Sequence, residues 1–193
     1  MRSQLRCLAI AAILLLQSTW SFAKLEVDKP APLFALKEVN GKEVKLADLK
    51  TKKAVVVMFI ATRCPFSNGY NERMQKLFVD YKDKNVAVLA INSNKTEPVA
   101  EVIEHAKTNG FTFPLLKDEG NIVADQYGAE FTPEIFVLDS NFVLRYHGRI
   151  DNSQRVSDAN THELRDALDA LLAGKEVPKK ETKAFGCTIK RAN

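Results

Sequence analysis

The chain has 193 residues, a formal net charge of +4, and 46% hydrophobic and 27% charged residues. This suits one globular domain with a sizeable core. Basic residues are not interleaved with aromatic ones, so no nucleic-acid partner is expected.

The N-terminus predicts a secretory signal peptide over residues 1–23. Arg2 and Arg6 precede an apolar run from Cys7 to Leu16, and Ser21-Phe22-Ala23 supplies small residues for cleavage after Ala23. The run is too short to span a bilayer comfortably, and no second long apolar run follows, so no stable membrane insertion is expected after cleavage. Loss of Arg2 and Arg6 lowers the net charge to +2. Of the three cysteines, Cys64 and Cys187 remain, in a compartment where disulfides persist. Two cysteines and the separated His105, His147 and His162 predict no metal site, and these histidines are expected at the surface. No cofactor is expected.

In chain order, 35–39 and 43–46 form a hairpin across Asn40-Gly41. Residues 47–50 read as one helical turn. The apolar run 54–60 predicts a strand covered on both faces. Pro65 suits the first position of a helix, and Tyr70, Met74, Leu77, Phe78 and Tyr81 follow at helical spacing, so one helix is expected to about Tyr81. Residues 86–91 are a second buried strand. Thr96 predicts the N-cap of a helix ending near Asn109. A short strand over 113–116 and a short helix over 122–127 follow. Residues 134–138 and 142–146 form a hairpin. Asn160 and Glu163 resemble a capping box for a helix to Ala173. Residues 24–174 are thus expected to form one domain, with 175–193 a basic tail carrying Cys187 and loosely held after Pro178. Alternating strands and helices predict a mixed sheet with helices on both faces.

Cys64 sits where the buried strand turns into a helix, directly after Arg63. A helix N-terminus and a neighbouring cation both favour thiolate. Ser67 offers a hydroxyl that can donate to the sulfur. The other reading of Cys64 is a small buried hydrophobe.

Several segments resemble redoxins of the alkyl hydroperoxide reductase/thiol-specific antioxidant superfamily. The opening, Lys29-Pro30-Ala31-Pro32-Leu33-Phe34 with Asn40-Gly41-Lys42 and Val44-Lys45-Leu46, is similar to theirs. Phe59-Ile60-Ala61-Thr62-Arg63-Cys64-Pro65 resembles the active-site strand and turn of exported thioredoxin-like proteins. Tyr127-Gly128-Ala129-Glu130-Phe131-Thr132-Pro133 resembles the segment holding a cis-proline. Gly148-Arg149-Ile150-Asp151 and Gly186-Cys187-Thr188-Ile189-Lys190 resemble a peroxiredoxin-like branch. The resemblance implies a thioredoxin-like α/β fold with an N-terminal β-hairpin extension. It implies a cis Thr132–Pro133 bond beside Cys64, whose backbone edge pairs with an extended substrate.

Two departures bear on chemistry. Ser67 stands where thioredoxins carry their second cysteine, and Ala61 where many of this branch carry another. Ala61 and Val57 also replace the threonine and proline of the peroxiredoxin pocket. Only Cys187 is left to resolve an oxidised Cys64, by cycling or as one half of a static disulfide. Three readings follow: an exported, periplasmic thiol–disulfide oxidoreductase, a thiol peroxidase using the same pair, or a non-catalytic binding protein. The partners would be a protein thiol or disulfide, or a small peroxide, with an external electron donor. Thr62, Arg63, Pro65, Ser67, Thr132 and Pro133 are the expected supporting residues. Tyr70, Arg149 and Asp151 are expected to line the cleft, or else Arg149 and Asp151 form a surface ion pair.

Overall fold

A computed structural model describes residues 24–192. The signal-peptide expectation falls on residues outside that range. A seven-stranded mixed sheet runs through the molecule in the order β2-β1-β5-β4-β3-β7-β8. Its strands are β1 (Ala35–Glu38), β2 (Glu43–Lys45), β3 (Ala54–Phe59), β4 (Val86–Asn92), β5 (Leu115–Lys117), β7 (Glu134–Asp139) and β8 (Leu144–Gly148). β3, β4 and β5 are parallel, whereas the pairings β1–β2, β1–β5, β3–β7 and β7–β8 are antiparallel. A second, two-stranded sheet joins β6 (Phe131–Thr132) to β9 (Cys187–Thr188). The helices are α1 (Pro65–Asn68), α2 (Asn71–Tyr81), α3 (Val99–Thr108), α4 (Ile122–Tyr127) and α5 (Glu163–Leu172).

Every residue of β3 is buried, and its side chains alternate between two cores. Val56, Met58 and Ile60 pack with Met74 and Leu77 of α2, Val102 of α3 and Leu164 and Leu168 of α5. Val55, Val57 and Phe59 pack with Phe34, Leu46 and Val123 and Tyr127 of α4. Burying both faces is what makes the run continuously apolar rather than alternating. The β1–β2 hairpin extends the β5 edge, and the whole is the thioredoxin-like arrangement. Among the described residues, no helix is long and apolar enough to cross a membrane.

Four local expectations change. The helix predicted from Pro65 to Tyr81 is interrupted at Gly69 and Tyr70, so Cys64 caps a four-residue helix rather than the long one. Tyr70 is held there by packing: Arg73 lies 3.8 Å over its ring. The N-cap of α3 is Pro98, and Thr96 lies in a turn before it. Asn160 accepts from Asn152 instead of capping α5, whose N-cap is His162.

The fourth change concerns the tail. Residues 177–192 are docked along the domain, with Val177, Ala184 and Ile189 buried. The segment first runs beside β8, where His147 N–H donates to Lys180 and Thr182 N–H to His147. It then crosses to β6 and ends against the β4–α3 connection, where Lys190 N–H donates to Asn94 Oδ1 at 2.7 Å. Its polar composition gave no period because backbone pairing, not a side-chain stripe, holds it.

Candidate active site

β3 delivers the chain to the site through Ile60–Arg63, and three successive amides of this loop are captured by side chains. Ala61 N–H donates to Ser67 Oγ at 3.2 Å, Thr62 N–H to Glu97 Oε2 at 2.9 Å, and Arg63 N–H to Glu97 Oε1 at 3.0 Å. Glu97 is 2% exposed, and a buried carboxylate persists only when its lone pairs are satisfied. Asn92 Nδ2 supplies a third donor to it. Lys117 Nζ binds the Glu97 and Asn94 carbonyls and Asn92 Oδ1 at 2.7–2.8 Å. Burial pushes the Lys117 ammonium below its usual value against the pull of the nearby carboxylates. Glu97 escapes sequence reasoning because its contacts lie 34 and 35 residues away.

Cys64 is the N-cap of α1, with Pro65 at the first helical position. Its sulfur accepts from Ser67 N–H at 3.3 Å and its thiol donates to the Thr132 carbonyl at 3.2 Å. Ser67 therefore supports Cys64 through its backbone N–H, while its hydroxyl holds Ala61. Arg63 is turned away, forking its guanidinium onto Glu101. Thr62 Oγ1 donates to the same carboxylate. Arg63 first, then Thr62, holds the Glu101 carboxyl down at about 2.

The Thr132–Pro133 bond is cis. Thr132 is paired antiparallel with Cys187 across the β6–β9 ladder, which brings the two free cysteines together. Burial pushes the Cys64 thiol up. Hydrogen bonds from the Cys187 thiol, the Thr132 side chain and the Ser67 N–H outweigh it and leave Cys64 below an ordinary cysteine. Burial and the neighbouring Cys64 push Cys187 the other way. The pair is thus polarised into a more acidic and a less acidic thiol.

The remaining expected residues are placed as follows. Tyr70 is buried beneath the site, and burial together with the Asp151 charge pushes its phenol up. Asp151 is 3% exposed and pairs with Arg73 at 2.6 Å, not with Arg149. Arg149 pairs with Glu163. Arg149 and Asp151 therefore belong to separate ion pairs and do not form a surface pair with each other. His147, expected at the surface, is buried and stacked on Phe136 with ring centroids 4.5 Å apart. Its Nε2 lies 2.7 Å from Glu134 Oε1, while Glu134 Oε2 accepts from the Glu130 and Phe131 amides at 2.7 and 2.8 Å. This buried pair fixes the segment entering the cis-proline. Among the described residues, no three His, Cys, Asp or Glu side chains converge as metal ligands.

A family model described as AhpC/TSA family matches residues 27–153. The chain belongs to the AhpC/TSA family. It is 30% identical over 118 residues to the thiol-disulfide oxidoreductase ResA of Bacillus anthracis, a match covering 61% of this chain and 66% of that protein. The match therefore spans just under two thirds of that relative. A hypothetical protein of Sinorhizobium meliloti 1021 superposes with a TM-score of 0.81 at 35% identity, over 88% of this chain and 97% of that one. An uncharacterized conserved protein from Geobacillus kaustophilus gives 0.82 at 36%, over 87% and 93%. The family match ends before α5 and the tail that carries Cys187.

Proposed function

We propose that the protein is an exported thiol–disulfide oxidoreductase in which Cys64 is the nucleophile and Cys187 the resolving thiol. The observation that carries this reading is the juxtaposition of two free thiols across the Thr132 edge, where Cys187 pairs with Thr132 and the Cys64 thiol donates to the Thr132 carbonyl. The Cys64 thiolate attacks a partner disulfide and forms a mixed disulfide, and the displaced partner sulfur leaves as thiolate. Cys187 then attacks the Cys64 sulfur, forming Cys64–Cys187 and releasing the second partner thiolate. An external dithiol must return the pair to the reduced state. A ResA relative named as a thiol-disulfide oxidoreductase supports the reaction class. The pattern of residues 1–23 supports export, with the bacterial periplasm as the expected compartment.

Peroxide is the weaker substrate, because Ala61 and Val57 stand where a peroxide pocket needs threonine and proline. Rates of thiol loss from the reduced protein test the choice. Dithiodipyridine and insulin disulfides should consume Cys64 faster than equimolar hydrogen peroxide. Faster consumption by peroxide would replace this reading with the peroxidase.

A further inference from the structure

The segment that carries Cys187 does more than supply a thiol. Just before it, Thr182 Oγ lies 2.8 Å from the Tyr146 hydroxyl and accepts from Arg149 N–H at 3.0 Å. Phe185 then leans on Phe66 and Tyr70, with ring centroids 6.3 and 6.5 Å away. Gly186 passes so close to β6 that a Cβ there would lie 2.0 Å from the Thr132 carbonyl oxygen. Cys187 pairs with Thr132, and Ile189 N–H donates to Glu130 at 2.9 Å. Beneath this strap Cys64 is 3% exposed.

Thr132 thus has its one free edge filled by the chain's own backbone. A partner polypeptide paired with Thr132 would occupy the same space, because a second strand cannot share that edge. Resolution raises a further demand. Displacement at sulfur is in line, so the leaving partner sulfur must lie on the far side of Cys64 from Cys187. A partner still paired with Thr132 cannot take that position while Cys187 returns to it.

We infer that residues 184–189 and the partner polypeptide compete for the same edge of β6, so that the strap's return both delivers Cys187 and expels the partner. This rests on the reading of Cys187 as the resolving thiol. The step needs no added oxidant or reductant: the Cys64–partner bond breaks, Cys64–Cys187 forms, and the electron pair leaves on the partner sulfur. Small disulfides can reach Cys64 by a local side-chain fluctuation, whereas a polypeptide needs the strap off. Gly186 is the tightest point of closure, and a Cβ there forces the strand away from Thr132.

The test follows adduct formation at Cys64 by intact mass in a Cys187→Ser background, with and without Gly186→Ala. Insulin serves as the polypeptide disulfide and dithiodipyridine as the small one. Both should form a persistent Cys64 adduct in Cys187→Ser. Adding Gly186→Ala should accelerate the insulin reaction about tenfold or more and the dithiodipyridine reaction less than about threefold. Phe185→Ala, which loosens the strap without a backbone clash, should act in the same direction. Equal acceleration for both probes, or none for either in both variants, would overturn the competition. Absence of any persistent adduct in Cys187→Ser would instead overturn the resolving role itself, and the competition with it.

Discussion

Cys64 is held from two sides by segments of opposite character. On one side, the Ala61–Arg63 loop hangs by three amides from Ser67 and the buried carboxylate of Glu97. On the other, the strap lies over the sulfur through a two-residue ladder, a half-buried phenylalanine and two small apolar contacts at Ala184 and Ile189. The loop's partners are desolvated, so releasing it strands buried polar groups. The strap's backbone groups can exchange their partners for water or for another strand at little cost. The contrast separates two tasks. One side fixes where the Cys64 sulfur sits, and on the proposed reading the other governs what can reach it.

The largest expected effect breaks the fixed side. Glu97→Ala leaves two loop amides and the Asn92 side chain without their acceptor, and should cost about 2–4 kcal/mol in urea unfolding. Glu97→Gln keeps one acceptor and should recover part of it. Loss of less than about 0.5 kcal/mol in Glu97→Ala would place the loop's order elsewhere.

A second variant loosens the removable side. Phe185→Ala gives up a partly buried aromatic contact and should cost about 1–2 kcal/mol. Amide exchange should quicken at Thr182 and Ile189 while the amides of Thr62 and Arg63 keep their protection. Equal quickening at both sets would mean that strap and loop open as one unit.

Between the two sides lies the thiol itself. The pH dependence of Cys64 alkylation should have its midpoint below roughly 8.5, the free-cysteine value, because hydrogen bonds to the sulfur outweigh burial. Cys187→Ala removes the first of those bonds and should raise the midpoint. An unchanged midpoint would contradict the polarised pair.

The smallest effect is expected at Arg63. Its guanidinium faces Glu101 in solvent, so Arg63→Ala should change stability least of these variants. The Glu101 carboxyl sits at about 2, below its unfolded value, so the pair's contribution is full above the unfolded value and fades as pH falls through about 2. Stability measured from pH 5 downward should show that loss in wild type and a smaller one in Arg63→Ala, where Thr62 alone still holds the carboxylate. A large upward shift in the Cys64 midpoint in this variant would restore the arginine as a thiolate partner.

Much of this arrangement is legible in the sequence because its signals are local. The β3 run, Pro65 after Cys64 and Thr132-Pro133 are each a few adjacent residues with one dominant physical meaning. Glu97, Lys117 and the Glu134–His147 pair are not legible. A buried carboxylate looks like any surface glutamate until a loop from 34 residues away is laid on it. The contacts of the Ser67 and Arg63 side chains are hidden for a related reason. Proximity in sequence says nothing of the partners that folding brings in: the Ser67 hydroxyl satisfies Ala61, and Arg63 finds Glu101 across the loop. The strap eluded a reading based on hydrophobic period because its registration comes from backbone pairing and from one glycine that fits against a carbonyl.

The central claim is that Cys187 completes the chemistry that Cys64 begins, and mass spectrometry tests it most directly. The reduced protein, residues 24–193, is treated with one equivalent of dithiodipyridine and quenched with acid at short times. The account predicts a transient Cys64 adduct that converts to an intramolecular Cys64–Cys187 disulfide, with Cys187→Ser halting at the adduct. A wild-type protein that also halts at the adduct would contradict it, and would assign resolution to another molecule.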